Sequence, residues 1–264
     1  MRHIRWVLLI LLSLVPLTRA EEWSKTFQIT GKPDLKIETS DANIRVDVWE
    51  KNAIEARVTT EGYKIDERGI RIHDRQNGDA VELEVRYPHT NFTINFGYHH
   101  HRVDIEIHMP KEGRVNLRTG DGAIRLTGLK GEMEVVSGDG HQELESVDGI
   151  VRARAGDGHI RATGRFDSLD LSTGDGHIEA TAGNGSTLAH EWNLHTGDGS
   201  VTLQVPENFA ADVDLRTGDG HITLGLPVSV LGRLGEKNIR GKINGGGNLL
   251  TIHTGDGSIH LEKT

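Results

Sequence analysis

The stretch Thr119-Gly120-Asp121-Gly122 contains the first complete copy of a motif, G-D-G, that recurs along the C-terminal half of the chain. The first three steps between successive copies are 18 residues each, and the next are 23, 21 and 37 residues. A fixed period of about 20 residues is typical of proteins that stack one structural repeat. The repeated aspartates are Asp121, Asp139, Asp157, Asp175, Asp198, Asp219 and Asp256.

Small or apolar side chains alternate with polar ones on both sides of each G-D-G. Before Asp175 the apolar or small positions are Leu169, Leu171 and Thr173, and Ile178 begins a second series after it. Alternation with a period of two indicates β-strands that bury one face. Each repeat is therefore predicted to contain a strand, a G-D-G corner, a second strand and a second turn.

Eighteen residues have room for two short strands and two turns. Stacked units of this kind form a parallel β-solenoid whose neighbouring coils lie about 4.8 Å apart. No coil buries its apolar face alone, so neighbours must cover it. We predict an all-β fold with a G-D-G repeat β-solenoid over residues 113–264 and an insertion at residues 225–249. Gln142 stands where the other repeats carry an aliphatic residue, which predicts poorer packing of that coil.

Two other architectures also use 18 residues for a coil. A left-handed hexapeptide coil needs an aliphatic residue at every sixth position, and that series ends at His141, so it is rejected. A calcium-binding β-roll places a glycine–aspartate motif in both half-turns. Here the other half-turns read G-L-K-G, S-V-D-G and G-R-F-D, so the match to a calcium-stabilised β-roll is partial.

Residues 21–112 are predicted to form a β-rich cap at the N-terminal end of the same solenoid. The aliphatic positions around Asp41 follow the repeat template, with Ser40 and Ala42 in place of the glycines. We interpret this segment as a degenerate first coil. Residues 89–102, rich in Asn, Phe and His, are predicted to form a loop or an edge hairpin.

Residues 1–20 have the features of a secretory signal peptide. Arg2 and Arg5 precede an apolar stretch, and Thr18-Arg19-Ala20 is a candidate cleavage site. The apolar stretch is short for a membrane span, and no other segment of the chain is apolar enough to form one. The protein is therefore expected to be exported, to the periplasm or the cell surface.

Composition limits the chemistry and the partners. Glycine is abundant, with 33 residues, and there is no cysteine, which excludes disulfides, thiolate metal sites and cysteine nucleophiles. The formal net charge is −9, and it becomes −12 when the three arginines of residues 1–20 are removed. A strongly acidic protein repels nucleic acid and anionic lipid at long range, so neither is expected to be a partner.

Five features together resemble the bacterial putative-adhesin domain family, whose function is unknown. They are the signal segment, the run V-D-I-E-I-H-M-P at 103–110, the ladder of G-D-G-x-I repeats, the I-N-G-G-G segment at 243–247 and the final T-G-D-G-S-I-H-L at 254–261. The resemblance covers nearly all of the mature chain. It implies an exported, β-helical envelope protein, and it brings no catalytic residues with it.

The G-D-G corner has two interpretations. As turn chemistry, its glycines permit positive φ and its aspartate bonds to backbone N–H groups. If the corners align, however, carboxylates recur about every 4.8 Å, and they form a candidate ladder for calcium or another hard cation. The candidate cation ligands are Asp121, Asp139, Asp157, Asp175, Asp198, Asp219 and Asp256. No other cofactor is expected.

Four histidines, His141, His159, His177 and His221, each follow a G-D-G. The first three belong to successive repeats, so their rings are expected to stack on the outside beside the aspartates. The two interpretations are a solvated row and a pH-sensitive or metal-binding stripe. The run at 99–101 also contains three histidines, but consecutive residues of an extended chain face opposite ways, which favours a loop over a metal site.

No motif of a serine hydrolase, a nucleotide-binding phosphate loop or a zinc protease is present. Two functions from different classes remain. One is a structural or adhesin-like module whose rigid face binds an unidentified surface protein or glycan. The other is a carbohydrate-active enzyme on a β-helical scaffold, which requires a groove with converging carboxylates. We favour the non-catalytic binding module.

Overall fold

The computed structural model describes residues 20–88, 101–230 and 235–264. The predicted signal segment, apart from Ala20, and residues 89–100 of the predicted loop lie outside the described residues. Within the described ranges the chain is all-β, with 21 strands and no helix. This confirms the all-β prediction.

Seven strands precede the G-D-G repeats. They are β1 (Glu21–Gln28), β2 (Asp34–Thr39), β3 (Asn43–Trp49), β4 (Ala53–Glu61), β5 (Arg71–Asn77), β6 (Ala80–Arg86) and β7 (Arg102–Pro110). Strands β5 and β6 form an antiparallel hairpin, and β4 pairs antiparallel with both β1 and β7. Strands β2 and β3 instead pair in parallel with later strands of the repeat.

Eight strands form the central repeats. They are β8 (Glu112–Arg118), β9 (Ile124–Thr127), β10 (Lys130–Val136), β11 (Gln142–Arg154), β12 (Ile160–Thr173), β13 (Ile178–Ala182), β14 (Trp192–Thr196) and β15 (Val201–Val205). The two long strands, β11 and β12, continue through the bend opposite the G-D-G corner.

Six strands complete the chain. They are β16 (Ala211–Thr217), β17 (Ile222–Leu224), β18 (Ser229–Val230), β19 (Asn238–Ile243), β20 (Leu249–Thr254) and β21 (Ile259–Lys263). Strand β19 pairs antiparallel with β16 and with β18. The stretch at 225–249 therefore adds an antiparallel edge, and in its described part it contributes no further coil.

The strands pair in two ladders, and the chain passes from one to the other at each G-D-G. The first ladder has the parallel order β6, β2, β8, β10, β11, β12, β14, β20, β16. The second has the parallel order β7, β3, β9, β11, β12, β13, β15, β21, β17. Strands β11 and β12 take part in both ladders because each runs from one to the other.

The last coil of the chain is not at the end of either ladder. Strand β20 lies between β14 and β16, and β21 lies between β15 and β17. The chain thus leaves a gap one strand wide, forms β16 to β19, and returns to fill the gap. The sequence does not reveal this position of the last coil, because all the repeats carry the same G-D-G motif.

The apolar core lies between the two ladders. Leu117, Val135, Ala153, Leu171 and Leu194 are paired in register across five neighbouring strands, and each is buried. Burial of aliphatic area of this kind is the main favourable contribution to folding.

Gln142 is the polar exception in this core. Its side chain is only 1% exposed, and its Nε2 atom donates to Ser137 Oγ at 2.8 Å and to the Arg154 carbonyl oxygen at 2.6 Å. Its Oε1 atom is buried without a hydrogen-bond partner, which is unfavourable.

Candidate functional site

The G-D-G corners are joined by backbone hydrogen bonds from coil to coil. The first glycine of each corner donates its N–H to the carbonyl oxygen at the same position of the neighbouring coil, which is Ser40 for Gly120 and a glycine for the others, as in Gly156 N to Gly138 O at 2.7 Å and Gly255 N to Gly197 O at 2.6 Å. The corners therefore align in one column. In spatial order, the aspartates that the column carries are Asp41, Asp121, Asp139, Asp157, Asp175, Asp198, Asp256 and Asp219.

Close approach of the coils, and not positive φ, explains why the G-D-G motif requires its second glycine. A Cβ atom on Gly140 would lie 1.9 Å from the carbonyl oxygen of Gly122, and one on Gly158 would lie 2.2 Å from that of Gly140. No G-D-G glycine is among those with positive φ. Only glycine fits because any side chain would collide with the backbone below.

A threonine precedes five of the seven G-D-G copies, and its hydroxyl joins one coil to the next. Thr173 Oγ1 donates to the Gly158 carbonyl oxygen at 2.9 Å, and Thr254 Oγ1 donates to that of Gly199 at 2.7 Å. Both threonines are buried. The alternation pattern indicated only a small inward residue at this position, so the hydroxyl's role was missed, although the recurrence of Thr was a signal for it.

All seven predicted cation ligands are exposed on the corner column. Asp219 pairs with Lys237, whose Nζ lies 3.0 Å from Oδ1. In the part of the chain that the structure describes, no group of three His, Cys, Asp or Glu residues is arranged to hold a metal ion. The cation ladder stays a prediction.

Three of the histidines that follow a G-D-G form a stacked column beside the aspartates, which we call the imidazole row. The ring centroids of His141 and His159 are 5.1 Å apart, those of His159 and His177 are 5.0 Å apart, and the ring planes differ by 6° and 9°. His221 is exposed in the coil of β16 and β17, three positions further along the column.

Backbone hydrogen bonds determine which ring nitrogen of the imidazole row faces outward as a donor. The Nδ1 atoms of His141, His159 and His177 accept the N–H groups of His159, His177 and Ser200 at 3.3, 2.9 and 2.9 Å. A neutral imidazole that accepts at Nδ1 carries its proton on Nε2. The row therefore presents three Nε2–H donors.

Charged residues lie beside the imidazole row on the outer face of the second ladder. Arg161 NH2 lies 2.5 Å from Glu179 Oε2, and Arg125 pairs with Glu143. Together with the three histidines, Glu143, Arg161 and Glu179 line a groove of about 370 Å³. The groove thus combines N–H donors with carboxylate acceptors.

Two pKa shifts follow from this arrangement. The hydrogen bond from Arg125 lowers the pKa of Glu143 below its usual value. Burial lowers the pKa of His159, and the neighbouring His177 and His141 lower it further because two charged imidazoles in contact repel. At neutral pH Glu143 is therefore ionised and His159 is neutral.

Of the predicted histidine run at 99–101, only His101 lies within the described residues, and its ring stacks on Tyr63 with a centroid distance of 4.4 Å.

Within the described ranges, no helix has the length and apolar character needed to cross a membrane.

A family model described as Toastrack DUF4097 matches residues 111–262, which confirms the family resemblance inferred from the sequence. No curated protein matches the chain. A putative cell adhesion protein from Clostridium sporogenes is similar in structure, with 15% identity, coverage of 93% of this chain and 100% of that one, and a TM-score of 0.44. A putative lipid binding protein from Parabacteroides distasonis has 14% identity and a TM-score of 0.43, with coverage of 91% of this chain and 96% of that one. A putative adhesin from Bacteroides fragilis has 10% identity and a TM-score of 0.36, with coverage of 91% of this chain and 97% of that one.

Proposed function

The chain belongs to the Toastrack DUF4097 family, and from that premise we propose that it is an exported, non-catalytic β-solenoid of the cell envelope that acts as a structural or adhesin-like binding module. Its ligand is a protein or glycan of a surface. The binding surface is the outer face of the second ladder.

The groove beside the imidazole row carries this proposal. Ring stacking and hydrogen bonds to the next coil hold His141, His159 and His177 in place. A row of polar groups that is already ordered binds at a lower entropic cost than flexible side chains do. Stacked repeats generally use such extended, rigid surfaces for binding.

A glycosidase is the less favoured function because of the state of the groove's carboxylates. A general acid for glycoside hydrolysis needs a raised pKa, so that it keeps its proton at neutral pH. Arg125 has the opposite effect on Glu143. Glu179 is also paired, with Arg161. Both groups serve better as hydrogen-bond acceptors for a ligand than as proton donors.

Fractionation of the native cell, combined with surface proteolysis, tests the proposal. We expect the protein in the envelope fraction or the medium, and a variant without residues 1–20 in the cytosol. We also expect purified protein to bind isolated envelopes without releasing sugars or peptides from them. Retention of the full-length chain in the cytosol, or turnover of envelope material, would contradict the proposal.

A further inference from the structure

The imidazole row repeats the same donor at a constant interval along the stack. Its three Nε2–H groups belong to rings whose centroids are 5.0 and 5.1 Å apart. The row lies in the groove that Glu143, Arg161 and Glu179 also line. Resting on the proposed function, we propose that this groove binds a neutral, linear polymer rich in hydroxyl groups, that is, a neutral glycan.

The charges of the groove do not favour an acidic ligand, because Arg125 and Arg161 are already paired with Glu143 and Glu179. Glu143 and Glu179 bring two carboxylates to it. The whole chain has a formal charge of −9. Carboxylate or phosphate groups of a ligand would lie close to these like charges, which is unfavourable. Acidic glycans and nucleic acids are therefore poor ligands for this groove.

Hydroxyl groups fit the groove because each of them both donates and accepts. A ligand hydroxyl can accept from an imidazole Nε2–H and donate to Glu143 or Glu179, which line the same groove. Repetition of the imidazole donor from coil to coil favours a polymer over a single small molecule, since each added sugar can meet a further donor.

The interval of the row disfavours an extended peptide. Side chains on one face of a β-strand recur about every 6.6 Å, because each residue advances the strand by about 3.3 Å. The ring centroids of the row recur at 5.0 and 5.1 Å. A peptide strand laid along the row would lose alignment with the donors after the first contact.

The protein itself supplies a substitution that separates binding from folding. Asn43, at the position equivalent to His141 in the coil of β2 and β3, accepts the N–H of Ala123 on Oδ1 at 3.0 Å. Replacing each histidine by asparagine therefore keeps the acceptor for the next coil and replaces the Nε2–H donor by a shorter amide, whose Nδ2 atom in Asn43 donates to Asp104 Oδ1 at 2.9 Å. The test variant is H141N/H159N/H177N, and the matched control is H221N, which changes an exposed histidine outside the row.

Affinity electrophoresis of the purified mature chain measures the binding. The gels contain a soluble neutral β-glucan, a neutral mannan, polygalacturonate or no polysaccharide. We expect at least one neutral polysaccharide to retard the wild type and H221N, and polygalacturonate to leave both unretarded. The triple variant should bind at least about tenfold more weakly, because the three imidazole donors are lost. Thermal melts verify folding, and if the triple variant does not fold, the single variant H159N takes its place.

Three results would overturn the inference. Polygalacturonate could be the only polysaccharide that retards the wild type, none of the polysaccharides could retard it, or the wild type and the asparagine variant could be retarded equally. Failure of this proposal is distinguishable from failure of the proposed function. If the asparagine variant still binds isolated envelopes like the wild type, the glycan site is wrong and the binding module remains. If the wild type does not bind envelopes at all, the proposed function fails as well.

Discussion

The two bends of each coil contact the neighbouring coils in different ways. At the G-D-G corner, successive coils meet backbone to backbone, with hydrogen bonds such as Gly156 N to Gly138 O at 2.7 Å. At the opposite bend, the pairing of β11 with β12 shifts register twice, between Leu144 and Val147 and between Gly149 and Ile150. The corner repeats along the whole stack, whereas the opposite bend changes register at this pair of strands.

Side-chain ion pairs add to the backbone contacts at the opposite bend. Arg165 Nε donates to Asp148 Oδ1 at 2.6 Å, and its NH1 and NH2 atoms donate to Asp167 at 2.6 and 2.9 Å. These contacts raise the pKa of Arg165 and lower that of Asp167. The opposite bend also requires glycine where its coils approach closely, because a Cβ atom on Gly149 would lie 2.3 Å from the Gly131 carbonyl oxygen. Its register shifts and its ion pairs nevertheless make its sequence less regular than that of the G-D-G corner.

The largest expected effect is at the corner. In Gly158→Ala the new Cβ would lie 2.2 Å from the carbonyl oxygen of Gly140, and the backbone there cannot withdraw without breaking the ladder. We expect a loss of about 3 kcal/mol or more in the free energy of unfolding. In Gly185→Ala, at the opposite bend, the new Cβ would make only an ordinary contact with the Arg165 side chain at 3.6 Å, and the φ of +82° should cost only about 1 kcal/mol. Chemical denaturation of both variants measures the difference, and equal losses would remove the distinction between the bends.

A smaller effect is expected from the side chains of the opposite bend. Arg165→Ala removes hydrogen bonds to Asp148 and Asp167, whose side chains are 35% and 36% exposed. Solvent screening at this exposure limits the expected loss of unfolding free energy to about 1 kcal/mol. Arg152→Ala, at an exposed position of β11, is the control and should change stability little. A loss as large as that of Gly158→Ala would show that the side-chain contacts are as important as the backbone stack.

The imidazole row should make the folded state sensitive to acid. The pKa of His159 is lowered in the folded protein, so the unfolded state binds more protons between the folded pKa and the unfolded value of about 6.5. Stability is therefore fully present above about pH 6.5 and falls as pH decreases through this window, by less than about 1 kcal/mol for a ring this exposed. Unfolding free energies of the wild type and H159N at several pH values between 4 and 8 measure it. An identical pH dependence of the two proteins would contradict the prediction.

The smallest expected effect concerns the aspartate column. If the G-D-G aspartates only stabilise the turn and bind no cation, EDTA leaves Tm unchanged and added calcium does not raise it. Differential scanning calorimetry with EDTA, calcium and magnesium decides the matter. A large rise in Tm with calcium that EDTA reverses would support the cation ladder instead.

The sequence predicted the repeated part of the fold well. The alternation around Asp175 predicted the strands that become β12 and β13, and the template around Asp41 matches the pairing of β2 with β8 and of β3 with β9. These features were predictable because a buried face requires a period of two, and a close backbone contact requires glycine.

Features that depend on spatial order could not be predicted. The position of β20 between β14 and β16 follows from the return of the chain after β19, and no local pattern encodes that return. The hydrogen bonds from backbone N–H groups to the Nδ1 atoms of the imidazole row depend on ring rotamers. The expected stacking was correct, but its donor geometry required coordinates.

Engineered disulfides test the stacking of the coils most directly, because the chain has no cysteine of its own. Thr202 is paired with His260, and His260 with Thr223, so residues 202 and 223 are two strands apart. Neighbouring strands lie about 4.8 Å apart, within reach of a disulfide, whereas a separation of about 9.6 Å is beyond it. The account predicts that T202C/H260C oxidises to an intramolecular disulfide and that T202C/T223C stays reduced; the reverse result would contradict it.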